Sequence, residues 1–326
     1  MKFLLPPGVG DSLWALMLVR SIRDRHFPGD PRIDVQITCS SLGDPPQQRA
    51  LEMVRRFSFV TSAEMLVTPL VRNDRPQTDE LGFPNYVPNG WDEAEQRFTI
   101  IPNDWLDRGK RLEEGMPEYK VDWKIFESFP FFLPDFAVAH DLLKTLCGQR
   151  FCAIYAGPLA ANTIGGFNRG AIWTPEDWLA VVTACVHKGI IPVFVGASYD
   201  RSYYEEKLLP LLGPIPAVHS GFKWIDLIGK TSSLAEVFYL CTLAEFVISF
   251  ASGIGIAASY LGARTVFFFL AYGDSCYPTA FFSPHDNMTH SWVNPEHLFK
   301  GNHIGLVYGP ETQIKLIAEM MRREWL

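Results

Sequence analysis

Short apolar runs alternate with longer amphipathic stretches, and this alternation most limits what the chain can fold into. In the first part, KFLL (2–5) and DVQITC (34–39) predict strands, while residues 12–26 and 47–57 predict helices. A strand–helix–strand order joins parallel neighbouring strands and places helices on the faces of the sheet. The beginning of the chain therefore predicts an α/β domain.

The same alternation starts again near residue 150. FCAIYAG (151–157) predicts a buried strand that ends in glycine. Further strands are predicted at 190–196, 224–229, 245–250 and 265–270, and helices at 174–189, 200–212, 232–244 and 252–261. The helix over 174–189 has clear ends, with Thr174 as its cap and Pro175 in its first position. A chain of 326 residues is long enough for two such domains.

The predicted architecture is therefore two doubly wound α/β domains that face each other across a cleft. We assign residues 1–148 to the first domain and 149–309 to the second. We expect a helix over 310–326 to cross back to the first domain. Residues 62–135 form an irregular insert rich in proline and aromatic residues. Long loop-rich segments are usually functional, so the insert is a candidate surface for a protein partner.

Composition and charge restrict the classes of function and the compartment. The net charge of −7 and the lack of a Lys/Arg run give no support for broad binding to a nucleic-acid backbone. No apolar stretch predicts a signal peptide or a membrane span, so we expect a cytoplasmic protein. No C-x-x-C pair is present, and we interpret the cysteines as buried thiols in a reducing compartment. They are Cys39, Cys147, Cys152, Cys185, Cys241 and Cys276.

The turn Gly8-Val9-Gly10-Asp11 follows the first predicted strand directly. Its glycines allow a ligand to approach the backbone. Asp11 is placed either to act as a general base toward a substrate hydroxyl or to cap the following helix, with Ser12 beside it. Both interpretations stay open at this point.

The segment EFVISFASGIGIAASYLG (245–262) carries the second candidate site. A buried strand leads into Ser252-Gly253-Ile254-Gly255, followed by a helix of small residues. Free backbone N–H groups, a hydroxyl and little steric bulk suit a phosphate or diphosphate. Tight packing of helix on sheet would require the same residues. The segment is neither a Walker loop nor a G-x-G-x-x-G fingerprint.

Two further residues are candidates for ligand contacts. Asp200 follows a strand and Gly196, where a carboxylate suits the paired hydroxyls of a ribose. Arg169 lies in the loop AGPLAANTIGGFNRGAIW and is placed to neutralise a diphosphate leaving group. The competing interpretations are an acid in the first turn of a helix and an arginine on the surface. No motif indicates a metal site.

Taken together, these stretches resemble the ADP-heptose:lipopolysaccharide heptosyltransferase-like glycosyltransferases, family nine, with the GT-B fold. The resemblance is carried by five short segments over about the first 40 residues and most of 150–270. They are GVGDSLWALMLVRSI, WTPEDW (173–178), GASYD (196–200), TSSLAEV (231–237) and AEFVISFASGIGI (244–256). By this resemblance, the chain is identified as a divergent member of that family.

The resemblance implies sugar transfer from a nucleotide-diphosphate sugar to a hydroxyl acceptor, without a metal and with no cofactor beyond this co-substrate. It implies Asp11 as the general base, with Arg169 stabilising the diphosphate. The donor contacts it implies are Gly10, Gly196, Asp200, Ser232, Ser252, Gly253, Ile254 and Gly255. The acceptor side would include Gly8, Ser12 and Trp14.

Three positions depart from the family pattern. Its Asp before Ser/Thr-Gly is Ala251, its His is Ile256, and its Lys before the Trp is Ala171. We favour a different donor or acceptor over the alternative, a degenerate fold that acts as a non-catalytic binding or structural module. A further alternative transfers a sugar to a modified nucleic-acid base. Basic residues in the insert keep it open: Arg97, Arg108, Lys110, Arg111, Lys120 and Lys124.

Overall fold

In a computed structural model, the chain is described over most of its length. The described residues are 1–38, 45–66, 90–100, 112–157, 174–213, 224–250, 252–269, 303–307 and 312–326. The chain divides into two compact units, the first containing Met1–Pro130 and the second beginning at Phe131.

The first unit contains a five-stranded sheet in the order β3-β2-β1-β5-β4. Its elements are β1 Lys2–Leu5, α1 Val9–His26, β2 Asp34–Ile37, α2 Pro45–Val54, β3 Ser62–Met65, β4 Gly90–Asp92, β5 Arg97–Thr99, α3 Leu112–Gly115 and a 3₁₀ turn Ile125–Ser128. All neighbouring strands are parallel except β4 and β5, which are antiparallel. Helices α1 and α2 contact each other and pack on β1, β2 and β3.

The segment predicted as an irregular insert supplies three strands of this sheet. Strands β3, β4 and β5 all lie within 62–135, and β5 pairs directly with β1. They are three to four residues long, too short for an alternating pattern to be read from the sequence. Much of the predicted insert is therefore integral to the first unit.

The second unit contains a six-stranded sheet in the order β11-β10-β9-β6-β7-β8. It begins with a 3₁₀ turn Leu133–Asp135, α4 Ala137–Leu146, β6 Phe151–Tyr155, α5 Pro175–His187, β7 Ile191–Phe194 and a 3₁₀ turn Ser198–Asp200. It continues with α6 (Arg201–Tyr203, Tyr204–Leu208 and Leu209–Leu212), β8 Ile225–Asp226, α7 Leu234–Leu243 and β9 Val247–Phe250. The last elements are α8 Gly253–Tyr260, β10 Thr265–Phe269, β11 His303–Val307 and α9 Thr312–Arg322. All strand pairs are parallel.

The second sheet has the strand order of a dinucleotide-binding α/β fold. Counted from β6, the chain first proceeds to β7 and β8 and then returns to β9, β10 and β11 on the other side. The order therefore reverses between β6 and β9. In open parallel sheets, ligands bind outside the carboxyl ends of the strands at such a reversal.

The C-terminal helix α9, expected to cross back to the first domain, packs within the second unit. Leu316, Met320 and Trp325 belong to that unit's core, and the Trp325 ring stacks on Phe246 with centroids 6.2 Å apart. Helix α4 also belongs to this unit, so the units divide ahead of the predicted boundary at residue 148. Among the helices that the structure describes, none is long and apolar enough to cross a bilayer.

The prediction of uniformly buried thiols is wrong for Cys147. That residue is exposed because it ends α4 in a left-handed conformation, with φ 48°. Cys152, Cys185 and Cys241 are buried, and burial raises the pKa of Cys241 to about 12. Cys39 and Cys276 lie outside the described residues.

Substitution of Gly229 tests a close contact between two loops of the second unit. Gly229 has φ +66°, and a β-carbon there would lie 2.9 Å from the α-carbon of Ser198. We expect Gly229→Ala to lower the free energy of unfolding by about 3 kcal/mol, from the left-handed conformation and the clash together. Urea denaturation measures this loss. Gly262→Ala is the matched control, since Gly262 has φ +93° and open space around it. Equal losses in the two variants would refute the contact.

Candidate functional site

The turn between β9 and α8 forms the centre of the candidate site. Ser252 caps α8, and its Oγ accepts a hydrogen bond from the Gly255 N–H at 3.3 Å. Ser252 and Gly253 are partly exposed, whereas Gly255 is buried. No acidic residue occupies the first turn of α8. The start of this helix therefore offers backbone N–H groups and a hydroxyl to an anion, without a competing carboxylate nearby on the same helix.

The turn after β7 holds Gly196 and Asp200. Asp200 is only 3% exposed, and its Oδ2 accepts a hydrogen bond from the Ala197 N–H at 2.6 Å. A β-carbon on Gly196 would lie 2.7 Å from this Oδ2, so only glycine leaves room for the carboxylate. The Asp200 carboxylate therefore stabilises its own turn by accepting a backbone hydrogen bond. A ribose contact stays a prediction.

Ser232 lies in the turn between β8 and α7 and is held by Glu236. The buried Glu236 carboxylate accepts hydrogen bonds from the Ser232 N–H at 2.6 Å and from the Ala139 N–H at 2.9 Å. Ser232 Oγ lies 2.8 Å from Glu236 Oε2 and 3.1 Å from the carbonyl oxygen of Asp135. Helix α7 itself is capped by Ser233, one residue after Ser232.

Charged side chains fix the neighbouring loop. Asp226 forms ion pairs with Lys230 at 2.8 Å and with Arg201 at 3.4 Å, and it accepts the Ile228 N–H at 2.9 Å. Arg201 also donates to the carbonyl oxygen of Ile228 at 2.6 Å. The loop after β8 is therefore anchored to the start of α6, beside the turn that contains Gly196.

The parallel sheet brings these turns to one edge. They follow the carboxyl ends of β7, β8 and β9, and β6 lies between β7 and β9. Two strand spacings separate β7 from β9, which is about 10 Å. The predicted donor residues Gly196, Asp200, Ser232 and Ser252 thus come together at the carboxyl edge of one sheet.

Asp11 lies at the corresponding position of the first unit, after β1. Helix α1 begins at Val9 and Gly8 occupies the cap position, so Asp11 lies beyond that position. A role of its carboxylate at the start of the helix and a role as general base both stay predictions. Asp11 and Gly10 lie in the first turn of α1. A β-carbon on Gly8 would lie 2.7 Å from Asp11 Oδ2, which places the carboxylate directly over the glycine backbone.

Two residues expected on the acceptor side have no exposed surface. Ser12 and Trp14 are both 0% exposed, and Ser12 Oγ donates to the carbonyl oxygen of Pro6 at 2.6 Å. Direct contact of either side chain with an acceptor is therefore a wrong expectation for this structure. Both face the core because α1 is buried along most of its length.

Of the remaining predicted site residues, some are buried in the core and the others lie outside the described residues. Ile254 and Ile256 are 6% and 1% exposed, so these side chains pack in the core behind the start of α8. Any ligand contact of Ile254 would be made by its backbone. Arg169, Ala171 and Ala251 lie outside the described residues.

Sequence reasoning missed the part played by Glu236 and Ser249. Glu236 belongs to the TSSLAEV motif, but its partner Ala139 lies far away in the sequence. Ser249 is a buried polar residue of β9, and its Oγ lies 2.8 Å from Ser252 Oγ. A hydroxyl in the apolar run FVISF was the available signal, because buried hydroxyls need partners.

Comparisons with known proteins give a clear result at the level of fold. No family model and no curated protein matches the sequence. The E. coli ADP-heptose LPS heptosyltransferase II matches with a TM-score of 0.56 and 12% identity, over 99% of this chain and 100% of that one. A family 9 glycosyl transferase from Veillonella parvula matches with a TM-score of 0.54 and 12% identity, over 98% and 90%. E. coli heptosyltransferase WaaC, solved with ADP, matches with a TM-score of 0.50 and 13% identity, over 99% and 98%.

These matches extend over nearly the whole of each chain. The resemblance inferred from five short motifs is therefore confirmed by structural neighbours, and so is the GT-B-like α/β fold class. At this level of identity the likeness concerns the fold. The chain has the fold of the heptosyltransferase-like glycosyltransferases.

Proposed function

We propose that this protein transfers a sugar from a nucleotide-diphosphate sugar to a hydroxyl acceptor without a metal ion. The observation that carries the proposal is the open start of α8, placed beside the strand reversal of the second sheet. The shared fold with heptosyltransferases, one of them solved with ADP, supports the same class of donor.

The donor diphosphate would bind at the start of α8. Its charge would be met by the N–H groups of Gly253 and Ile254 and by the Ser252 hydroxyl, since the Gly255 N–H already donates to Ser252 Oγ. Such a preorganised set of donors stabilises the charge that develops on the departing diphosphate. Arg169 is proposed as an additional cation for this step.

Asp11 is proposed as the general base. A carboxylate in the first turn of α1, at the carboxyl end of β1, is held on the ligand-binding edge of its sheet. It would accept the proton of the acceptor hydroxyl as that oxygen attacks the anomeric carbon of the sugar. The nucleoside diphosphate departs with the electrons of the broken bond.

Gly8→Ala tests the position of this carboxylate. An alanine β-carbon would meet Asp11 Oδ2 at 2.7 Å and push the carboxylate aside, while the flexible side chain limits the cost to stability. We expect a loss of sugar transfer of at least tenfold with a melting temperature close to that of the wild type. Gly29→Ala is the control, because nothing lies within 4 Å of a β-carbon there. Unchanged transfer by Gly8→Ala would argue against the placement of Asp11.

A non-catalytic module is the second candidate, and Ile256 favours it. The family pattern has His at this position, whereas Ile256 is 1% exposed in the core. A module that has lost the donor site would bind no nucleotide, and its partner surface would lie within 62–135.

Of the basic residues that kept transfer to a nucleic-acid base open, one is unsuited to binding a phosphate backbone. Arg97 is 7% exposed and donates to Gln36 Oε1 at 3.1 Å, so it offers little to a phosphate backbone. Lys120 and Lys124 are exposed, and the other three basic residues lie outside the described part. We therefore rank this acceptor below a glycan or a small molecule.

A thermal-shift screen tests the proposed function against its main rival. The full chain is heated with ADP, GDP, UDP, TDP or CMP, first without added metal and then with it. A ligand that binds only the native state raises the melting temperature. We expect a rise with one diphosphate in the absence of metal. No rise with any of them would favour the non-catalytic module.

A further inference from the structure

Ser249 presents a hydroxyl in the interior of the second unit. It lies in β9, its side chain is 0% exposed, and it pairs in register with Tyr155 of β6. Burying a hydroxyl is unfavourable unless it makes hydrogen bonds. Ser249 Oγ lies 2.8 Å from Ser252 Oγ at the start of α8, within hydrogen-bond distance.

Within the described part of the chain, Ser252 Oγ is in contact with two groups. Its Oγ accepts the Gly255 N–H and lies against Ser249 Oγ, and a hydroxyl can accept two hydrogen bonds and donate one. If Ser249 donates, both acceptor positions of Ser252 are filled. The Ser252 proton is then available to a ligand.

Exposure separates the roles of the two residues. Ser252 is partly exposed at the carboxyl edge of the sheet, whereas Ser249 is completely buried. A ligand at the edge can touch Ser252 and cannot touch Ser249. Any effect of Ser249 on such a ligand must therefore pass through its neighbours.

We infer that Ser249 is a positioning residue that donates its proton to Ser252 and directs the Ser252 hydroxyl toward the diphosphate of a bound nucleotide. This inference rests on the proposed function, since it assumes a nucleotide at the start of α8. It adds a second, buried layer to that site. The Ser249 hydroxyl would donate to Ser252 Oγ, and the Ser252 hydroxyl would donate to the ligand.

The opposite direction of the hydrogen bond has the opposite consequence. If Ser252 donated to Ser249, the Ser252 proton would be engaged within the protein. Removing the Ser249 hydroxyl would then release that proton and leave nucleotide affinity unchanged or increased. The sign of the change in affinity therefore distinguishes the two arrangements.

Calorimetric titration of the full chain provides the test. ADP is titrated first, followed by GDP, UDP and TDP, into the wild type, Ser249→Ala, Ser252→Ala and the double variant. We expect Ser249→Ala to weaken binding of the bound nucleotide about fivefold to tenfold, the effect of one hydrogen bond. In the Ser252→Ala background, Ser249→Ala should have no further effect, because Ser249 acts through Ser252.

Two further variants control for structural effects. Ser259→Ala removes another fully buried serine hydroxyl, from α8, and should leave affinity unchanged. Ser249→Cys keeps a weak donor in a similar volume and should give an intermediate loss. Ser249→Cys replaces Ser249→Ala in the titration if Ser249→Ala does not fold.

The outcomes separate this inference from the proposed function. If the wild type binds a nucleotide and Ser249→Ala binds it equally well or more tightly, the positioning role is refuted and the proposed function stands. Equal losses from Ser249→Ala in both backgrounds would also refute it. If the wild type binds none of the four nucleotides, the proposed function and this inference are both overturned.

Discussion

Replacement of Asp11 by Asn is expected to abolish sugar transfer while leaving nucleotide binding intact. The amide keeps the size of the carboxylate but cannot accept the proton of the acceptor hydroxyl. General-base catalysis contributes on the order of 10² to 10⁴ in rate, so turnover should fall by that factor. Nucleotide affinity should not change, because the proposed diphosphate site lies in the second unit. Release of nucleoside diphosphate from the donor sugar measures turnover, and calorimetry measures affinity.

Asp24→Asn is the matched control for this experiment. Asp24 lies on the same helix, with its side chain 64% exposed beside Arg23. Its replacement alters net charge equally and should leave turnover unchanged. Full turnover by Asp11→Asn would exclude Asp11 as the base.

Replacement of Glu236 by Ala is expected to cause a large loss of stability, similar to that of Gly229→Ala. The fully buried carboxylate receives hydrogen bonds from Ala139, in the first turn of α4, and from Ser232, ahead of α7. Its removal leaves the Ala139 N–H buried without this acceptor and frees the turn at Ser232. Each lost partner of a buried donor costs about 1–3 kcal/mol, so the free energy of unfolding should fall by about 3 kcal/mol.

Urea denaturation of Glu236→Ala, Glu236→Gln and Glu206→Ala would measure the loss in the free energy of unfolding. Gln keeps one acceptor oxygen and should show an intermediate loss. Glu206 is exposed on α6, and its replacement should change stability by less than about 0.5 kcal/mol. If Glu236→Ala were as stable as Glu206→Ala, the hydrogen bonds that Glu236 accepts from Ala139 and Ser232 would not stabilise the fold.

The parts of the fold that follow local rules could be predicted from the sequence. Helix α5 begins as expected, because Thr174, Pro175 and Asp177 form a cap that is written entirely in neighbouring residues. The turn at Ser252 was also predictable, since a serine before two glycines at the end of an apolar strand is a local signal. These features depend on contacts three or four residues apart.

The parts that depend on distant partners could not be predicted in this way. Strand β5 exists because it pairs with β1, which is far from it in the sequence. The burial of Trp14 and the Glu236 contact with Ala139 likewise depend on how helices pack. The candidate site follows the same division. The turns at Gly196 and Ser252 were found from local glycines and Ser232 from a family motif, whereas the buried support, Ser249 and Glu236, was not found.

The proposed function depends above all on binding of the diphosphate of a nucleotide sugar at the start of α8. Titration of the nucleoside diphosphate selected by thermal shift into the wild type and Ser252→Ala tests it most directly. We expect metal-independent binding by the wild type and at least a fivefold weaker affinity in the variant, from the loss of one hydrogen bond to a charged group. Equal affinity in the two proteins, or no binding by the wild type, would contradict it.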